Sequence, residues 1–144
     1  MPIRPDLRAA YPSNWPEISR RVRFERAAGR CQTCGRPHQV RVKCLPDGRW
    51  HDVEARDWRD GRGQPAPWPD VVEATRLRTT LVVLAAAHLD HNPGNNHLGN
   101  LRALCQRCHL AHDIEHHRRQ RWMTYRRRMA VADLFRGSYA PHAP

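Results

Sequence analysis

Five cysteines stand in the 144-residue chain, and four of them form two Cys-x-x-Cys pairs, Cys31/Cys34 and Cys105/Cys108. Together the pairs offer four sulfurs, the number that a closed tetrahedral structural zinc site takes. Cys44 is left over. An odd count, behind an amino terminus without the apolar stretch of a secretory signal, argues against a disulfide framework and for thiolate ligation in a reducing, cytoplasmic setting. The run Cys105-Gln106-Arg107-Cys108-His109 also matches the attachment motif of a c-type haem. That chemistry needs export, for which the sequence offers no signal, and it leaves the first cysteine pair unexplained. A second constellation lies just beyond: His109 and Asp113 are four residues apart, hence on one face of a helix, a spacing suited to joint metal ligation. His112 and His116 repeat that spacing, as solvated helical histidines also do.

These groups need elements to carry them. Residues 1–13 read as an irregular, proline-rich arm. A helix follows, with Asn14 as its cap, Glu17 as the partner in a capping box and Gly29 as its stop. Trp15, Ile18 and Val22 share one face of it, while Arg20, Arg21, Arg23 and Arg26 crowd the rest. Next comes Cys31-Gln32-Thr33-Cys34-Gly35, a tight turn whose glycine permits the conformation of a zinc knuckle. Val40, Val42 and Cys44 alternate with charged residues, break at Pro46-Asp47-Gly48 and resume through Trp50 and Val53, which predicts a β-hairpin. Residues 57–70 are rich in glycine and proline and read as a loop, and residues 71–80 fit helix or extended chain equally. Leu81 to Leu84 is a short apolar run with β-branched members, expected to be a buried strand leading to His88. Asp90 to Asn96 is dense in turn formers. From Cys105 to about residue 135 no proline intervenes, and one long helix or two abutting ones are expected. Zinc bound by both cysteine pairs would tie the first helix to the last across the hairpin, a link that counts heavily in a small domain.

The charge names a partner. Twenty-five basic residues, all arginine except Lys43, face fourteen acidic ones, for a formal charge of +11. The excess lies in residues 1–36 and 114–144, with near balance between. Guanidinium forks bond phosphate oxygens in pairs, so a polyanion such as DNA or RNA is the expected partner, and affinity should fall steeply with salt. Arg20, Arg21 and Arg23 at one end, and Arg118, Arg119, Arg121, Arg126 and Arg127 at the other, interleaved with Trp122 and Tyr125, are the candidate backbone contacts. No apolar run reaches the eighteen residues of a membrane span, and no membrane partner is expected.

The stretch Leu81 to Asp113, LVVLAAAHLDHNPGNNHLGNLRALCQRCHLAHD, resembles the ββα-metal finger of HNH nucleases, in particular the phage and prophage versions with a zinc knuckle. The likeness is carried by an apolar strand ending in His88, a turn-rich loop, the pair Asn100-Leu101, and Leu104-Cys105-x-x-Cys108-His109 opening a helix. Tyr11-Pro12, Trp15, Ile18 and Ser19 ahead of Cys31-x-x-Cys34-Gly35 resemble the family's approach to its first knuckle, so about half the chain is covered. Laying the family pattern on the loop puts His88 first, with Leu89, Asp90, Asn92, Pro93, Asn95, Asn96 and Asn100 in register without a gap. Starting from His91 instead gives the more familiar Asp-His order through Asp90, but shortens the loop by three residues.

What the resemblance implies is an α+β fold: a small zinc-stabilised domain with a ββα-metal (His-Me finger) core at about residues 81–117, an N-terminal helix, an inserted β-hairpin and a basic C-terminal helix. The domain would span residues 14–136, with residues 137–144 as a tail. It further implies a DNA endonuclease in which His88, Asn100 and His109 form the catalytic core and Cys31, Cys34, Cys105 and Cys108 hold a structural zinc. A catalytic magnesium, manganese or nickel ion would complete it, and the products would carry a 5′ phosphate and a 3′ hydroxyl. Many family members carry a metal ligand directly before the base, where this chain has Ala87. His109, Asp113, Asp90 and His91 are then the candidate ligands of the catalytic cation. Ala87 also makes a second outcome credible, a zinc-stabilised DNA-binding module without cleavage.

Overall fold

The computed structural model describes the backbone of residues 5–136 and the side chains of residues 8–130, so the expected tail at 137–144 lies outside the described residues. The chain divides into two compact units, Met1–His112 and Asp113–Pro144.

In the first unit a short 3-10 turn, Pro5–Ala10, precedes helix α1 (Trp15–Arg20), which widens into a π-helical stretch over Arg21–Arg26. Two features differ from the sequence reading. The Asn14 side chain makes no capping hydrogen bond, because its backbone lies at φ −89°, ψ 15° instead of the extended conformation that aims a cap side chain at the first free N–H groups. The helical stretch also ends at Arg26, three residues before Gly29: Ala28 already takes a left-handed φ of 48°, Gly29 follows at 69°, and the Gly29 N–H closes back on Arg23 O at 2.9 Å. The apolar face behaves as expected, with Trp15, Ile18 and Val22 packing on Leu101 and Ala103.

The hairpin forms from β1 (Arg41–Cys44) and β2 (Trp50–Asp52), antiparallel with Cys44 opposite Trp50. Its turn requires a glycine, since Gly48 sits at φ 100°. Two more strands join it. β3 (Asp57–Arg59) pairs with β2, and β4 (Arg78–Leu81) pairs with β1, giving the order β3-β2-β1-β4. β3 lies inside the segment expected to be a loop; three residues carry too little alternation to read, and its pairing is set by β2 and by burial of Trp58, 3% exposed. The segment 71–80 holds both of the expected states: helix α2 (Val71–Ala74), opened by a full Asp70–Glu73 capping box that is visible in the sequence, and then the start of β4.

The apolar run is broken at its valines, which belong to neither strand. Leu81 ends β4 and Leu84 begins β5 (Leu84–His88), with Val82 and Leu84 buried and Leu81 and Val83 exposed. β5 pairs antiparallel with β6 (Leu101–Cys105), in a register that sets Leu84 opposite Cys105 and His88 opposite Leu101. Helix α3 (Gln106–Arg136) leaves β6 without an intervening loop. Two strands and a helix thus follow one another around the loop 89–100. The core of this unit gathers Val42, Trp50, Val82, Leu84, Ala87 and Leu104 around the four paired cysteines.

The second unit is the continuation of α3. Arg118, Arg119, Arg121, Arg126, Arg127 and Arg128 are all exposed there, and Trp122 and Met129 are also about half exposed. Arg126 lies 4.8 Å above the Trp122 ring and Arg118 pairs with Glu115 at 2.9 Å. No helix among the described residues is long and apolar enough to cross a membrane.

Candidate metal centre and active site

The first cysteine pair sits in a turn closed by Gly35 N–H to Cys31 O at 2.8 Å and Cys31 N–H to Arg36 O at 2.9 Å, with Gly35 at φ 76°. The second pair is placed by secondary structure, Cys105 ending β6 and Cys108 lying in the first turn of α3. Gln32 joins the two: its N–H donates to Ala103 O at 2.9 Å, and its side-chain oxygen accepts from Ala103 N–H at 2.8 Å. The turn is thereby docked on the edge of β6 as a further backbone partner. Gly63 presses on its other side, where an added Cβ would come within 3.0 Å of Cys34 O.

The outcome is that Cys31, Cys34, Cys105 and Cys108, all buried, bring their sulfurs within 4.8 Å of one another. Cys34 Sγ and Cys105 Sγ are 3.6 Å apart. A disulfide needs about 2.05 Å, whereas sulfurs about 2.3 Å from a tetrahedral zinc stand roughly 3.8 Å apart. The cluster therefore has the size of a metal cage. Cys31 Sγ accepts the Cys105 N–H at 3.3 Å, and Cys34 Sγ accepts the guanidinium of Arg36 at 3.3 Å. Hydrogen bonding, first from the Cys108 thiol, draws Cys105 down to about 6. Arg36 itself is 3% exposed, held by Gly48 O at 2.9 Å and lying 5.4 Å over the Trp50 ring. Burial lowers its hold on the proton, but the thiols of Cys34 and Cys44 outweigh that and raise it. A buried cation bonded to Cys34 Sγ is an outer partner of the kind that metal–sulfur sites use, and neither spacing nor charge pattern sets it apart from the other arginines in the sequence.

His88, 9% exposed, ends β5 inside an aromatic box. Its ring stacks on Trp15 at 5.0 Å and 15°, and meets Tyr11 edge-on at 5.7 Å. Nε2 lies 3.0 Å from Asn96 Oδ1. Because the Asn96 amide hydrogens go to the carbonyls of Pro93 and Gly94, at 3.2 and 3.3 Å, its oxygen faces the ring and Nε2 is the donor. Nδ1 is then the basic nitrogen. Asn96 fell in the family register, yet nothing in sequence marked it as the partner of His88.

Asn100 is consumed by the loop. Its amide donates to Asp90 Oδ1 at 2.8 Å and to Asn95 O at 2.9 Å, and its oxygen accepts the Asp90 N–H at 3.2 Å. Asp90 is the hub of the same loop, also accepting from Asn92 N–H at 2.9 Å and Asn95 Nδ2 at 2.7 Å. These donors, the Asn92 N–H first, lower its carboxyl to about 2. His91, next in the chain, takes φ 59° and stacks on His112, with ring centroids 4.6 Å apart and planes at 6°. His109 is half-buried in the first turns of α3. Asp113 begins the second unit, where its carboxylate lies 3.9 Å from His117 Nε2.

Of the arginines, Arg20 and Arg21 are exposed and share Glu25, at 2.7 and 3.8 Å, while Arg23 reaches Ser19 O at 3.2 Å. Arg26 is occupied, bonding Leu101 O and, at 2.6 Å, Leu98 O. No family model, curated protein or solved structure matches the chain, and the reading of this site rests on its own residues.

Proposed function

We propose that the chain is a metal-dependent DNA endonuclease of the HNH type, with a zinc ion in the four-cysteine cage. The observation that carries the reading is the placement of His88: a histidine at the end of β5, its Nε2–H given to Asn96 and its Nδ1 left as acceptor, on a strand whose partner β6 runs directly into the helix that begins at the cage.

Phosphodiester hydrolysis requires a base for the attacking water, a hold on the phosphate, and relief of charge on the departing oxygen. The Asn96 bond fixes the His88 tautomer, and the Trp15 stack fixes the ring plane, so Nδ1 is aimed without rotational freedom. Nδ1 takes the proton from water as the oxygen attacks phosphorus and the bond to the 3′ oxygen breaks. A divalent cation at the first turns of α3, near His109, would supply the charge neutralisation at that oxygen. Asn100, with both ends of its amide spent on Asp90 and Asn95, holds the loop in place and so acts as a positioning residue. Arg20 and Arg21, and the arginines of the second unit, bind backbone phosphates without reading sequence.

A zinc-stabilised DNA-binding module without cleavage is the second reading, favoured by one observation. Ala87, in the position before the base, is 2% exposed, pairs with Arg102 and offers no ligand. Supercoiled plasmid incubated with magnesium, manganese or nickel separates the two. Nicking by the native chain, lost in His88→Ala with metal content and DNA affinity kept, is the expected result. Tight DNA binding with no cutting under any of the three metals would leave the module reading in its place, and full cutting by His88→Ala would show that residue 88 is not the base.

A further inference from the structure

We infer that His91 and His112 together hold the exchangeable divalent cation, one helical turn beyond His109, beside a cavity that takes the phosphate. As to purpose this deepens the nuclease reading and rests on it; as to metal binding it stands on the geometry of the pair.

His91 is set by the loop. Its left-handed φ of 59° is a conformation that β-carbon residues adopt only when the surroundings impose it, and here Asp90 and Asn100 lock the loop on its N-terminal side. That turn delivers the ring face to face with His112 on α3, and their ligand nitrogens lie within 4.8 Å of each other. His112 Nε2 is buried and has no hydrogen-bond partner among the described residues. Burying an imidazole nitrogen unsatisfied is costly. A cation answers that cost once one ring turns out of the stack about its Cβ–Cγ bond, because imidazole lone pairs lie in the ring plane and face-to-face rings do not both aim at one ion. Imidazole ligands suit zinc, copper, iron and nickel. Two protein ligands leave coordination positions open for water and a phosphate oxygen, as a catalytic site needs.

The space beside His112 has matching chemistry. A cavity of about 330 Å³ is lined by Thr33, Gly61, Leu89, Arg102, Arg107 and His112. Arg107 reaches it by crossing two glycines: a Cβ on Gly48 or Gly61 would come within 2.1 or 2.8 Å of its guanidinium. Two arginines and a metal-bearing histidine around one cavity form a phosphodiester clamp, built from residues whose charge pattern alone gave no hint.

The test is calorimetric titration of Ni²⁺ into the chain with its tightly held zinc in place. One further equivalent should bind the native protein. His91→Gln and His112→Gln should each weaken it at least about tenfold, with zinc content and circular dichroism unchanged. Should either variant lose zinc, the native chain decides alone: substoichiometric Ni²⁺ should broaden the ring resonances of His91 and His112 before those of His109, His116 and His117. Unchanged nickel affinity in both variants, or first broadening at another histidine, overturns the assignment. Nickel bound by this pair with no DNA cut would sink the nuclease reading alone, whereas full cutting by His112→Gln would sink this one and leave the nuclease standing.

Discussion

Removing the metal from the four-cysteine cage should unfold the first unit. Its main cluster of buried residues contains ten members, of which Cys31, Cys34, Cys105 and Cys108 are four, leaving Val42, Trp50, Val82, Leu84, Ala87 and Leu104 as the apolar members, with a smaller cluster of Val22, Leu101 and Ala103 apart from them. A structural zinc contributes on the order of 10–16 kcal/mol of apparent binding free energy in small zinc domains. The whole net stability of an ordinary domain is about 5–15 kcal/mol. Even a loss of about 5 kcal/mol would lower the melting temperature of a unit near one hundred residues by roughly 20 °C or more. The assay is far-ultraviolet circular dichroism of the reduced protein, melted before and after chelation, with the released metal measured by a colorimetric indicator. One metal ion per chain should appear, and the cooperative transition should move down by at least that amount or vanish. Release of one equivalent with a shift below about 5 °C would mean that the apolar packing of the two clusters suffices, and would refute the reasoning. Absence of bound metal in protein purified without chelator would refute it more directly.

Arg36→Ala should cost about 1.5–3 kcal/mol, the worth of a hydrogen bond to a charged group, because it strips Cys34 Sγ and Gly48 O of a buried donor; urea denaturation and the rate of metal release both report it, and an unchanged midpoint would refute the role. Asn100→Ala removes three bonds to the loop and should lower cutting about 10- to 100-fold while the metal stays bound. Asp90 has a folded pKa of about 2 against an ordinary 3.8, so its contribution is fully present above about pH 4 and disappears as the pH falls toward 2. Asp90→Asn should therefore flatten the loop's acid transition, followed by fluorescence of Trp15 beside His88, and an unaltered profile would count against the hub. Neutralising Arg126 and Arg127 together should reduce the slope of log affinity for DNA against log salt by about 2, and an unchanged slope would free those residues from any role at the backbone.

Several parts of this molecule were legible in its sequence because their signals are local. The paired cysteines, the Pro-Asp-Gly turn of the hairpin and the long uninterrupted helix each depend on neighbours a few residues away, and each stands where the pattern put it. The apolar face of Trp15, Ile18 and Val22 was likewise readable from helical spacing. The Asp70–Glu73 capping box is equally local and marks the helix at 71–74, whereas residues 78–80 became strand only through pairing with β1.

What no window of sequence contained was the pairing of distant parts. β3 exists because β2 lies beside it, and Gln32 brings the first cysteine turn onto β6 across seventy-one positions of chain. Arg36 looked like one more surface arginine among many until burial set it against Cys34. The tautomer of His88 was decided by Asn96, and the partner of His91 by the winding of α3. Residue type fixes which chemistry a side chain can perform. Which atoms it meets is fixed only when hydrophobic burial and hydrogen bonding close the loops between them.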